Sequence, residues 1–119
     1  MEKNILIVDD DKLFLRALGQ VLTDANYKLI TTSTVDDAYV KITNKSFDLL
    51  ICDLMIDDLT GVDLIRAIKQ NIGESFPIIV VSSLNYGKKV ISDLGFENVH
   101  FIHKPNVFNE IVKIIESLN

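Results

Sequence analysis

The sequence predicts an α/β fold: a doubly wound, five-stranded parallel sheet with helices on both faces. Three observations carry that prediction. Four near-continuous apolar runs, Ile5-Leu6-Ile7-Val8, Leu49-Leu50-Ile51-Cys52, Ile78-Ile79-Val80-Val81 and Val99-His100-Phe101-Ile102-His103, look like strands buried on both faces. Segments of helical period separate them, so strand and helix alternate five times, which implies parallel pairing through right-handed crossovers. Each run also stops at polar residues: Asp9-Asp10-Asp11, Asp53, Ser82-Ser83 and Lys104-Pro105. Function in an open parallel sheet gathers outside the carboxyl ends of the strands. Acids, a hydroxyl and an amine therefore share one crevice.

The elements follow in order. Met1-Glu2-Lys3-Asn4 leads straight into the first strand, with no signal peptide expected. Phe14, Leu18, Val21, Leu22 and Ala25 form an apolar stripe over residues 12–25, the first helix. Lys28 to Thr32 is a short strand. Val35, Ala38, Tyr39 and Ile42 mark the second helix, with Thr34 and Asp37 as a capping pair. Val62, Ile65, Ile68 and Ile72 mark the third, with Thr60 as N-cap and Gly73 as its stop. Residues 86–94 make the weakest helix, whose large aliphatic residues are Val90, Ile91 and Leu94 before Gly95. Asn106 starts the last helix, marked by Val107, Phe108, Ile111, Val112, Ile115 and Leu118.

A chain of 119 residues is one domain, 1–119, with enough length for an ordinary core. No apolar run approaches the roughly 20 residues of a membrane helix. The single cysteine, Cys52, lies within an apolar run, as expected of a small buried hydrophobe in a reducing, cytoplasmic setting. A net charge of −5 speaks against direct nucleic-acid binding by this segment, which would need clustered Lys and Arg. Lys88-Lys89 is a solvated helix face.

Consecutive aspartates after a buried strand are costly. Two unit charges about 4 Å apart repel by roughly 4 kcal/mol at an effective dielectric near 20. Asp53, from a neighbouring strand end, adds to the strain. A hard divalent ion such as Mg²⁺ relieves it, because it prefers carboxylate and carbonyl oxygens, and Lys104 supplies a second positive charge. Such a set suits a site where phosphoryl charge is gained and lost. An exposed acidic loop with Lys104 on the surface is the plainer reading, but it leaves four coincident strand ends unexplained.

These residues resemble the response-regulator receiver domain of two-component signalling, from end to end of the chain. The acidic pair after the first strand is Asp9-Asp10. Asp53 ends the third strand with Gly61 eight residues later, and Ser82 ends the fourth with Pro77 five residues before it. Lys104-Pro105 ends the fifth. Asp57 departs from the pattern, since proline is common there.

The resemblance implies a flavodoxin-like fold with strand order 2-1-3-4-5 and a bacterial, cytoplasmic signalling protein. It implies that Asp53 is the phosphoacceptor, and that Asp9, Asp10, Asp53 and the Met55 backbone carbonyl hold Mg²⁺ or Mn²⁺. Lys104 pairs with the phosphoryl group, Ser82 moves to hydrogen-bond it, and Phe101 swings inward as the aromatic switch. The Lys104-Pro105 bond is expected to be cis. Asp11 falls outside the metal's ligands and caps the first helix. The implied phosphodonor is a histidine kinase or histidine phosphotransfer protein, docking where Leu13, Phe14 and Leu15 leave the acid cluster. The output target or effector domain meets residues about 86–118, and a phosphorylation-dependent homodimer is a further partner the resemblance allows. Such a domain is a phosphoacceptor and not a turnover enzyme. Two alternatives stand beside it: a pseudo-receiver that binds partners unphosphorylated, and a small haloacid-dehalogenase-like phosphatase with Asp9 as nucleophile.

Overall fold

The computed structural model describes residues 3–56 and 59–118. Five parallel strands form one sheet, β1 (Asn4–Val8), β2 (Lys28–Thr32), β3 (Leu49–Asp53), β4 (Ile78–Ser82) and β5 (Val99–His103), in the spatial order 2-1-3-4-5. Among the described residues four α-helices connect them, α1 (Lys12–Asp24), α2 (Val35–Asn44), α3 (Val62–Asn71) and α4 (Gly87–Leu94), and a fifth, α5 (Val107–Ser117), follows β5. The expected α/β fold and strand order are both present. Among the described residues, no helix is long and apolar enough to cross a membrane.

Alternation along the strands divides the core into two layers. Ile5, Ile7, Ile51, Ile79, Val81 and Ile102 face α1 and α5, packing on Leu18, Leu22, Ile111 and Ile115. Leu6, Leu50, Val80 and their neighbours face α2, α3 and α4, packing on Ala38, Ile42, Ile65, Ile68 and Ile91. Both faces of β1, β3 and β4 are therefore dry, which is why these strands read as unbroken apolar runs. The edge strand β2 is only half-buried, and its sequence, Lys-Leu-Ile-Thr-Thr, is correspondingly mixed.

Local chemistry sets most boundaries. Asp11 caps α1, its carboxylate accepting from the Phe14 N–H at 3.1 Å, as expected. Thr34 caps α2 by accepting from the Asp37 N–H, but Asp37 does not return the bond. Its carboxylate instead accepts from the Thr32 hydroxyl and Lys41. Gly95 ends α4 in the left-handed region at φ 67°, where a side chain would be strained.

Four expectations need correction. The buried stripe of α1 is Leu15, Leu18 and Leu22, rotated from the expected stripe, so Phe14 lies at its margin. The N-cap of α3 is Gly61 and not Thr60, because the chain between β3 and α3 forms a short antiparallel pair, Met55–Ile56 with Leu59–Thr60, ahead of the helix. Ile72 is not part of the buried face of α3; it is the C-cap and 43% exposed. Lastly, the Lys104–Pro105 bond is trans, as is every peptide bond among the described residues. There the chain turns through a 3₁₀ helix, Lys104–Asn106, whose first carbonyl accepts from the Val107 N–H on entering α5. Pro105 inside that turn supplies a fixed φ and needs no donor.

Candidate metal and phosphoryl site

Parallel register brings the polar residues to one edge. Val8 pairs with Cys52, Cys52 with Val80 and Val80 with Phe101. One residue further come Asp9 and Asp53, one more brings Ser82 beside His103, and Lys104 follows. Four strands thus reach the same edge within a few residues of one another.

Asp9, Asp10 and Asp53 each offer a carboxylate oxygen, and the three atoms lie within 4.8 Å of one another. At that separation each pair repels by about 3 kcal/mol at an effective dielectric near 20, and one lysine balances three carboxylates only in part. Asp9 is 1% exposed. Its Oδ1 accepts from the Asp11 N–H at 2.9 Å. Its buried Oδ2 lies 3.0 Å from Lys104 Nζ, an ion pair whose angles do not make a hydrogen bond. An acceptor oxygen so placed has capacity for a hard cation, and an all-oxygen donor set suits Mg²⁺ or Mn²⁺. The residues fit the metal.

Electrostatics at the edge run in opposing directions. Burial pushes the Asp9 carboxyl above the usual range, and the Asp53 charge adds to that, while the Asp11 N–H and Lys104 pull it back. Burial alone would lower Lys104, but Asp9 and Asp53 outweigh it and hold the ammonium charged. Lys104 Nζ donates to Asp53 Oδ2 at 3.3 Å, so the amine already bridges two acids.

The remaining expected residues flank this cluster. The Met55 N–H donates to Asp53 Oδ1 at 3.2 Å, fixing the carboxylate from the loop side. Ser82 is buried, and its Oγ accepts from the Leu84 N–H at 3.1 Å. Phe101 is half-buried on the α4 side of the sheet, and its ring lies 2.8 Å from where a side chain on Gly87 would begin. Gly87 thereby leaves room for the ring at the first turn of α4. Asp57 falls outside the described residues. Cys52 is fully buried, and burial pushes its thiol far up, which keeps it inert.

The triplet after the acids separates into three environments. Leu13 is 77% exposed, Leu15 is buried in the core, and Phe14 turns its ring toward Lys104 Nζ, 4.3 Å away. The sequence placed Phe14 both in the apolar stripe of the first helix and among the docking residues, but not beside Lys104. Its spacing from Leu18, one turn along α1, gave the lean toward the core, while the approach to Lys104 depends on how β5 turns into α5.

The chain matches the family model of the response regulator receiver domain over residues 5–116. It is 30% identical to the nisin biosynthesis regulatory protein NisR of Lactococcus lactis subsp. lactis over 98% of this chain and 50% of that protein. The chain spans about half the length of the curated relatives it matches. Among solved structures, a CheY-like receiver domain protein from Methanospirillum hungatei JF-1 is 29% identical with a TM-score of 0.83, covering 99% of this chain and 94% of that one. The response regulator TrrA of Thermotoga maritima, solved in complex with Mg(2+)-BeF, has the same fold, with a TM-score of 0.87 at 21% identity over 98% of this chain and 99% of its own. A parallel sheet of order 2-1-3-4-5 with acids, hydroxyl and lysine at its carboxyl edge defines a class of signalling receivers. The chain belongs to the response-regulator receiver family of two-component systems.

Proposed function

We propose that this domain accepts a phosphoryl group on Asp53 from the phosphohistidine of a histidine kinase or histidine phosphotransfer protein. The observation that carries the reading is the cluster of three carboxylate oxygens within 4.8 Å, with an ammonium 3.3 Å from Asp53. Asp9, Asp10, Asp53 and the Met55 carbonyl would hold Mg²⁺ or Mn²⁺. When bound, that ion neutralises the oxygens of the transferring group. A protein of the same fold, TrrA, was solved with Mg(2+)-BeF, the kind of ligand pair proposed for this edge.

The Asp53 carboxylate attacks phosphorus as the P–N bond breaks, and the released imidazole nitrogen takes up a proton. Lys104 then turns from the Asp53 carboxylate to a phosphoryl oxygen. Ser82 Oγ, which accepts from the Leu84 N–H in the free protein, rotates to donate to another. The new group carries about −1.5 to −2 charges, and it shifts the Ser82 and Phe101 arrangement only through contacts that differ between the two states. The domain assists its own phosphorylation and dephosphorylation in the cytoplasm but is not a turnover enzyme. The donor docks beside exposed Leu13. The output target or effector domain, or a second phosphorylated copy, meets residues about 86–118, where Tyr86 is 61% and Phe108 44% exposed.

Intact-mass measurement with acetyl phosphate and Mg²⁺ tests this reading. Wild type and Asp9→Ala are compared with Asp53→Ala, and the label must vanish in Asp53→Ala. Label that survives there but is lost in Asp9→Ala would favour the phosphatase alternative, against which the buried Asp9 carboxyl already speaks. No label in any variant would favour the pseudo-receiver.

A further inference from the structure

Lys104 is held from two sides. Asp9 and Asp53 take its charge at 3.0 and 3.3 Å, and the Phe14 ring centroid lies 4.3 Å from Nζ. Phe14 in turn meets Phe108 of α5, ring centroids 5.8 Å apart and tilted by 54°. Phe14 packs at the margin of the core layer between the sheet and α1 and α5, and its ring also faces the amine. The buried face of α1 is already filled by Leu15, Leu18 and Leu22, and Phe108 is 44% exposed.

We infer that Phe14 is a positioning residue for Lys104, braced by Phe108, so that α1 and α5 jointly set where the amine lies. The inference rests on the phosphoacceptor reading for its consequence, though its geometry belongs to the free protein. A lysine is a compact charge on a flexible four-carbon stem, and little in the stem itself directs it. An aromatic face attracts the ammonium without offering a strong acceptor. It therefore opposes escape of Nζ to solvent without competing with the carboxylates. The attraction is weakly directional, so the amine can slide from Asp53 Oδ2 toward an arriving phosphoryl oxygen and keep the ring beneath it. A disturbance of α1 or α5 would reach the site through this contact.

Two measurements test it on wild type, Phe14→Leu, Phe14→Tyr and Phe108→Leu. The first is calorimetric affinity for beryllium trifluoride in the presence of Mg²⁺, which bypasses any kinase contact made by α1. Loss of a partly buried cation–π contact should weaken binding about three- to tenfold in Phe14→Leu. Phe14→Tyr, which keeps the aromatic face, should bind like wild type, and Phe108→Leu should fall between. The second is the ring-current shift of the Lys104 Hε protons in the metal-free proteins. It should be upfield in wild type and Phe14→Tyr and absent in Phe14→Leu. Wild-type affinity in Phe14→Leu, equal weakening in Phe14→Tyr, or no ring-current shift in wild type overturns the inference. If wild type itself binds no beryllium trifluoride, the phosphoacceptor reading fails instead, and the ring-current comparison alone decides whether Phe14 holds Lys104.

Discussion

Gly61 occupies a place where a side chain has no room. A Cβ there would lie 2.5 Å from the Asp53 carbonyl oxygen and 3.1 Å from Cys52 Sγ. Its backbone is ordinary, at φ −64°, so close approach and not conformational freedom explains the glycine. Its N–H also donates to the Leu54 carbonyl at 2.6 Å, tying the start of α3 to the end of β3. Gly61→Ala should force that strand end apart, lowering stability by about 1–3 kcal/mol and slowing acetyl phosphate labelling of Asp53. Thermal melting and a labelling time course check this; an unchanged pair of values would refute the packing account. The eight-residue interval from Asp53 was visible in the sequence, but its reason was not, because it depends on a chain reversal around the short antiparallel pair. Asp11 shows the opposite case. Its cap was legible because an aspartate followed by a helical stripe needs only local geometry.

At the scale of elements, burial governs what can be read. Buried strands announce themselves as apolar runs, whereas the two-residue strands Met55–Ile56 and Leu59–Thr60 are too short to show any period. The rotation of α1 by about one residue arose because Leu13, Phe14 and Leu15 are all apolar, and only packing selects among them. Lys69 was missed for a related reason. It lies on the buried side of α3, 5% exposed, where a lysine is unexpected. Its ammonium donates to the carbonyls of Glu74 at 2.8 Å, Phe76 at 2.5 Å and Glu97 at 2.5 Å, joining the loops before β4 and β5. Burial lowers its pKa, with the charges of Glu97 and Glu74 opposing, and three acceptors match the three donors of the charged form. Lys69→Met should therefore cost about 2–4 kcal/mol by leaving buried carbonyls unpaired, read as a lower denaturant midpoint. Labelling at the opposite edge should be preserved at temperatures where the variant is folded. A stability equal to wild type would show that these carbonyls find other partners.

Across the whole molecule, the sheet separates chemistry from support. Loops tied by Lys69 lie at the amino edge of β4 and β5, while Asp9, Asp53, Ser82 and Lys104 gather at the carboxyl edge. From there the site touches both layers. Lys104, bonded to Asp53, lies over Phe14, which meets Phe108 on the α1 and α5 side, while Phe101 and Leu54 both lie against Gly87 on the α4 side. A phosphoryl group at Asp53 would bear on both routes. Register made this convergence legible in advance, since parallel strands of equal phase end together. The trans Lys104–Pro105 bond and the direction of Phe14 were not legible, because both depend on how β5 turns into α5. The central claim is that Asp53 forms an acyl phosphate, and borohydride trapping tests it most directly. Wild-type protein treated with acetyl phosphate and Mg²⁺, then reduced and mapped by peptide mass, should carry homoserine at position 53 and only when Mg²⁺ was present. Aspartate unchanged at 53, or reduction at position 9 instead, would contradict the account.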